Sequence, residues 1–190
     1  MRTSVILMTL ALLVTGESLR AECISKDGEH LGTGFLECVK NGNRYLGEIE
    51  PSLMKYLMGT WSTNCTEMKS KIVYQFTNKQ LIGQLYYIDT KDKILKSPAF
   101  LEIIGLRSSG GLVYLAGKSH ATYSLGSPAP INETSSYVLV VYKEIDKNTR
   151  VVEEGYIVRE GNIEQDIKDG VFVKNGEKMN YSRCLADSHP

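Results

Sequence analysis

Apolar and polar residues alternate with a period of two through most of the chain after residue 59, which is the pattern of half-buried strands. Residues 71–77 carry Ile72, Tyr74 and Phe76 at alternate positions. Asn78-Lys79 turns the chain into a second run, 80–89, and Thr90-Lys91-Asp92-Lys93 turns it again. Shorter β-rich runs cover 59–65, 100–106, 112–116 and 121–125, with a turn at 108–111. The strongest run is 135–145, where Tyr137, Leu139 and Val141 fall on one face and Val138, Val140 and Tyr142 on the other. A polar turn at 146–149 leads into 150–159. Val171-Phe172-Val173 then enters Asn175-Gly176, a dipeptide suited to positive φ, and 178–184 returns as a last strand. A helical period is confined to 51–58. Pro51 suits a first turn, Leu53, Met54, Leu57 and Met58 share a face, and Gly59 ends the run. The expected fold class is all-β, an antiparallel up-and-down barrel of about eight strands preceded by one short helix.

The first 21 residues follow a different rule. Arg2 supplies a positive charge, residues 5–14 are mostly apolar, Gly16 and Ser18 break the run, and Leu19-Arg20-Ala21 ends on a small residue. That order predicts a secretory signal peptide cleaved after Ala21. The run is too short to span a bilayer, which takes about 20 residues, and no membrane span is expected later. Residues 22–50 then read as a small N-terminal appendage and 51–190 as the barrel domain. The location expected is periplasmic or secreted.

Composition narrows the partners. The 22 basic and 22 acidic residues cancel. Removing residues 1–21 takes away Arg2, Arg20 and Glu17 and leaves a net charge of −1. Such a chain has no electrostatic reason to bind nucleic acid. Its four cysteines, Cys23, Cys38, Cys65 and Cys184, all lie in the mature part, where an exported chain meets oxidising conditions. Three pairings are possible. Asp27-Gly28 and Gly32 suggest a hairpin that brings Cys23 to Cys38, leaving Cys65 for Cys184.

Candidate chemistry is sparse. No CxxC pair occurs, and His30, His120 and His189 are far apart, so neither a metal nor a cofactor is expected. Ser119 precedes His120, and Asp89 or Glu102 would have to complete a triad. No serine sits in a Gly-x-Ser-x-Gly elbow, so the protein is not expected to be an enzyme. Trp61, the only tryptophan, and Tyr74, Tyr86, Tyr114 and Tyr137 are the candidate ligand-binding residues. Each combines an apolar body with a polar tip and lies on a predicted strand.

The short helix followed by Gly59-Thr60-Trp61 resembles the opening of the lipocalins. That resemblance implies a cup of eight strands with the tryptophan at its base and a small apolar ligand inside. A Gly-Thr-Trp-x-x-x-Cys start, here Gly59 to Cys65, together with Lys168-Asp169-Gly170 and a terminal Cys184, resembles small exported proteins of alphaproteobacteria. It supports the pairing of Cys65 with Cys184 and a periplasmic home, and brings no activity with it. The expected function is therefore an exported binding protein holding a small apolar ligand in the barrel. The alternative is a protein-binding module with a filled barrel, such as an inhibitor of a secreted enzyme or a component of an envelope assembly.

Overall fold

The computed structural model describes residues 22–24, 33–40, 44–67, 70–88, 94–122, 133–159 and 161–184. The expected signal peptide, 1–21, lies outside them, as do most of the 121–125 run, Asp89 and the 90–93 turn.

The barrel is built from eight antiparallel strands: β3 (Gly59–Ser62), β4 (Ser70–Thr77), β5 (Gln80–Ile88), β6 (Ile94–Ser109), β7 (Leu112–Thr122), β8 (Glu133–Asp146), β9 (Thr149–Arg159) and β12 (Asn180–Cys184). Consecutive strands pair from β3 to β9, and β12 lies between β9 and β3 to close the ring. Local chemistry sets the corners. Asn78 and Lys79 both have positive φ, as do Gly110 and Gly111. This is the geometry of a two-residue turn whose twist matches the strands it joins.

One edge of the ring is forked. The first residues of β9 pair with β12, at Val151 opposite Asn180. Its later residues pair instead with β10 (Asn162–Lys168), which turns at Asp169-Gly170 into β11 (Val171–Phe172). Among the described residues β10 and β11 make no pairing with β3 or β4.

Helix α2 (Pro51–Leu57) plugs the closed end. Pro51 occupies its first turn, and Gly59 at φ +116 redirects the chain from helix into β3, a conformation that other residues rarely adopt. Just before α2, Leu106 N–H donates to Glu48 O and Glu50 N–H donates to Leu106 O, both at 2.9 Å. These bonds tie the entry segment to β6.

Two hydrophobic cores result. The inner one fills the closed end with Leu57, Trp61, Tyr74, Ile103, Leu115, Tyr142 and Val152. The outer one sits where helix α1 (Thr33–Lys40) covers β7, β8 and β9. Phe35, Leu36 and Val39 meet Ala116, Leu139, Val141 and Val158 there. Both faces of β8 are thus apolar because both are covered.

The appendage differs from the expected hairpin. It is a strand, a helix and a strand: β1 (Glu22–Ile24) pairs in parallel with β2 (Arg44–Leu46), and α1 runs between them. A parallel pair needs a crossover, and α1 supplies it. The Cys65–Cys184 bridge is present, and Cys38 is also disulfide-bonded. The expected partner of Cys38 is Cys23, whose side chain lies outside the described residues. No helix among the described residues is long and apolar enough to cross a membrane.

Candidate functional site

Above the closed end the barrel holds a cavity of about 300 Å³. Its walls include Ile72 and Tyr74 on β4, residues 138–140 on β8 and residues 155–157 on β9. Ile167 and Phe172 of the β10–β11 branch complete it. The rim is apolar and partly open, with Leu85 40% and Phe100 36% exposed.

Inward-facing glycines keep the space open. A Cβ at Gly83 would lie 2.8 Å from Tyr74 Cε1, one at Gly117 would lie 2.5 Å from Leu101 Cδ1, and one at Gly155 would lie 2.8 Å from Ile167 Cδ1. In each case a large neighbour lies flat across the glycine, along the wall, where a side chain at that position would push it into the lumen.

The floor is an aromatic stack around a cation. Trp61 is fully buried, and its Nε1–H donates to Leu57 O at 2.9 Å. The Arg150 guanidinium lies 4.0 Å from the Trp61 ring, 4.8 Å from Tyr142 and 5.2 Å from Tyr74. Arg150 is itself buried, and its Nε and Nη1 have no hydrogen-bond partner among the described residues. The rings therefore carry much of the stabilisation of this charge, an arrangement that gains strength away from water. Burial pushes the Tyr142 phenol well above its ordinary range and Tyr181 up to about 12, so both are neutral at ordinary pH. Glu144, opposite Arg150 in register, is also raised by burial, with Arg150 opposing the shift.

The sequence candidates divide. Trp61 lies in the floor, beneath the cavity lining, and Tyr74 belongs to both floor and wall. Tyr114 and Tyr137 are not in the lumen. They pack on the outer core, with the Tyr137 ring 6.3 Å from Phe35. Their alternation with Val113, Leu115, Val138 and Val140 fixes the opposite face as the inner one. Tyr86 lies on β5 but does not line the cavity. Arg150, Asp166 and the glycine positions were not among the candidates. A single arginine amid alternating polar and apolar residues gives no sign of burial, and the three glycines stand out only once cross-strand register is known.

Ser119 and His120 fall on opposite faces of β7. Ser119 lines the cavity, whereas His120 Nε2 lies 2.8 Å from Glu102 Oε2 and its ring stacks on Phe100 at 4.8 Å. They do not form a nucleophile–base pair. No cluster of His, Cys, Asp and Glu able to hold a metal occurs among the described residues. The polar groups that reach the cavity include Tyr74, Ser119 and Asp166. Such a partly open site can cover the apolar part of a small molecule and orient one polar group. Compared with models of known protein families, with curated proteins and with solved structures, the chain matches none.

Proposed function

We propose that the protein is an exported, non-catalytic binding barrel that holds a small, largely apolar molecule. The observation that carries this reading is the apolar cavity of about 300 Å³ between a sealed floor and a partly open rim. That volume stands at the small end of ligand pockets, which run from about 300 to 1,000 Å³. It fits a compact ligand better than a long-chain lipid. Asp166, at the β10 bulge, is the one acidic residue of the lining, and no basic residue accompanies it. A buried carboxylate ligand beside it would meet like charge, so the ligand is neutral or cationic, with a hydroxyl or amine as its polar end. A barrel filled by its own side chains, as the protein-binding alternative requires, would leave no such space.

Export is part of the same proposal. It rests on the order of residues 1–21 and on the Cys65–Cys184 bridge, since disulfides persist outside reducing compartments. N-terminal sequencing of the exported protein should begin at or near Glu22, and an intact Met1 in a cytoplasmic pool would contradict it. For the ligand, an environment-sensitive apolar dye should bind the wild type and be lost in Gly155→Leu, which sends a side chain into the lumen. Folding of that variant is checked by circular dichroism. Equal dye binding by a folded Gly155→Leu would overturn the cavity as the site.

A further inference from the structure

We propose that a second site, a cleft at the closed end of the barrel, binds an oxyanion of the phosphate or sulfate type. The cleft measures about 350 Å³ and is lined by Ser52, Lys55, Tyr56, Lys147, Asn148 and Arg183. Three separate parts of the chain meet there: α2, the β8–β9 turn and β12. Every charged residue of the lining is basic. The chain as a whole is neutral, so this convergence is not a by-product of general excess positive charge.

The two lysines of the lining are not paired directly. Lys55 and Lys147 are exposed and make no ion pair among the described residues. Glu50, Glu144 and Asp146 lie near the cleft, and among the described residues none of them forms an ion pair with Lys55, Lys147 or Arg183. Asp146 accepts the Asn148 N–H at 2.7 Å within its own turn. Glu50 accepts the hydroxyl of the lining residue Ser52 at 2.9 Å and that of Ser108 on β6 at 3.2 Å.

Arg183 is held rather than free. Its guanidinium donates to Met58 O at 3.1 Å and to Tyr56 O, and it lies 4.8 Å from the Trp61 ring and 5.5 Å from Tyr56. Its Nε is buried and has no partner among the described residues. A fixed guanidinium and two unpaired ammonium groups in one lining, with the Asn148 side-chain amide beside them, match the charge and donor needs of a tetrahedral oxyanion.

Amide NMR during titration of the disulfide-bonded mature protein with inorganic phosphate, then sulfate, tests the site. The expected result is saturable movement of the Lys55, Lys147, Asn148 and Arg183 signals. Binding should weaken at least about tenfold in Lys55→Gln/Lys147→Gln, whose exposed changes leave the fold intact, and should weaken with added salt. No saturable movement up to about 20 mM anion, far weaker than a useful millimolar site, would overturn the proposal. So would identical binding by the double variant. Co-sedimentation with phosphatidylglycerol vesicles then separates the sources. Lysine-dependent sedimentation assigns a lipid headgroup, and anion binding without sedimentation assigns a soluble phosphate or sulfate ester. The dye site lies in the lumen, so Gly155→Leu should leave anion binding unchanged.

Discussion

Replacing Trp61 by alanine removes the largest fully buried side chain among the described residues. Burying an indole takes roughly 200 Å² out of water, which at about 25 cal/mol per Å² gives about 5 kcal/mol as an upper bound. The bond from Nε1 to Leu57 O adds about 1 kcal/mol, and its loss leaves a carbonyl of α2 unpaired. Local collapse recovers some of this, so the expected cost is about 4 kcal/mol, inside the usual range for truncating a large buried aromatic. The Cys65–Cys184 bridge acts on the same place. Cys184 pairs with Thr60 beside Trp61, and the bridge closes a loop across a separation of 119 residues. Loop-closure entropy for that length gives about 5 kcal/mol, with measured losses of about 2–5 kcal/mol. The two perturbations share neighbours, so their combined cost should fall short of the sum by at least about 0.5 kcal/mol. Urea melts followed by far-ultraviolet circular dichroism measure all corners of the cycle, since Trp61 is the only tryptophan and the tryptophan fluorescence is lost with it. A cost under about 1 kcal/mol for Trp61→Ala, the size of a surface effect, would refute its placement as the sealed floor.

Three further outcomes follow from the same geometry. Gly83→Ala should cost about 1–3 kcal/mol as an overpacked position and should weaken dye binding, because the new Cβ meets the rigid Tyr74 ring; thermal melts and dye titration read the two effects. Arg150→Met should change stability by under about 1 kcal/mol, because losing the ring contacts is offset by removing a buried charge with unpaired N–H groups; a urea melt measures it. Tyr181 stays neutral up to about 12 in the folded state but ionises near 10 in the unfolded chain. The folded state therefore holds more protons between those values, and this contribution is complete below about pH 10 and lost as the pH rises through about 12. Alkaline unfolding should track tyrosinate absorbance and shift upward in Tyr181→Phe.

Much of the barrel was legible because its strands alternate and its corners use residues with known turn geometry. Asn78-Lys79 and the 146–149 turn are local features that need no tertiary knowledge. The rest depended on contacts between distant residues. The appendage reads as a hairpin because Gly28 and Gly32 dominate it, whereas α1 is fixed by Phe35, Leu36 and Val39 meeting β7, β8 and β9. Pro98 and the 90–93 turn obscure the length of β6, which runs from Ile94 to Ser109. The run 112–116 is the first part of the 11-residue β7. Strand β10 carries Glu164 and Asp166 among its few apolar residues, so its pattern is too weak to see. The two faces of 135–145 were correctly separated, but both are apolar, and only the position of α1 shows which is outer. Tyr137 and Tyr114 therefore look as fit for the lumen as Tyr74 until α1 is placed over them.

The most direct measurement is native mass spectrometry of the protein recovered from its own exported fraction. The account predicts a second species, heavier by the mass of one small molecule and released as a neutral or a cation on activation, with Gly155→Leu appearing only at its bare mass. Bare protein alone, together with failure of the folded wild type to bind apolar dyes, would contradict the claim that this barrel holds a ligand.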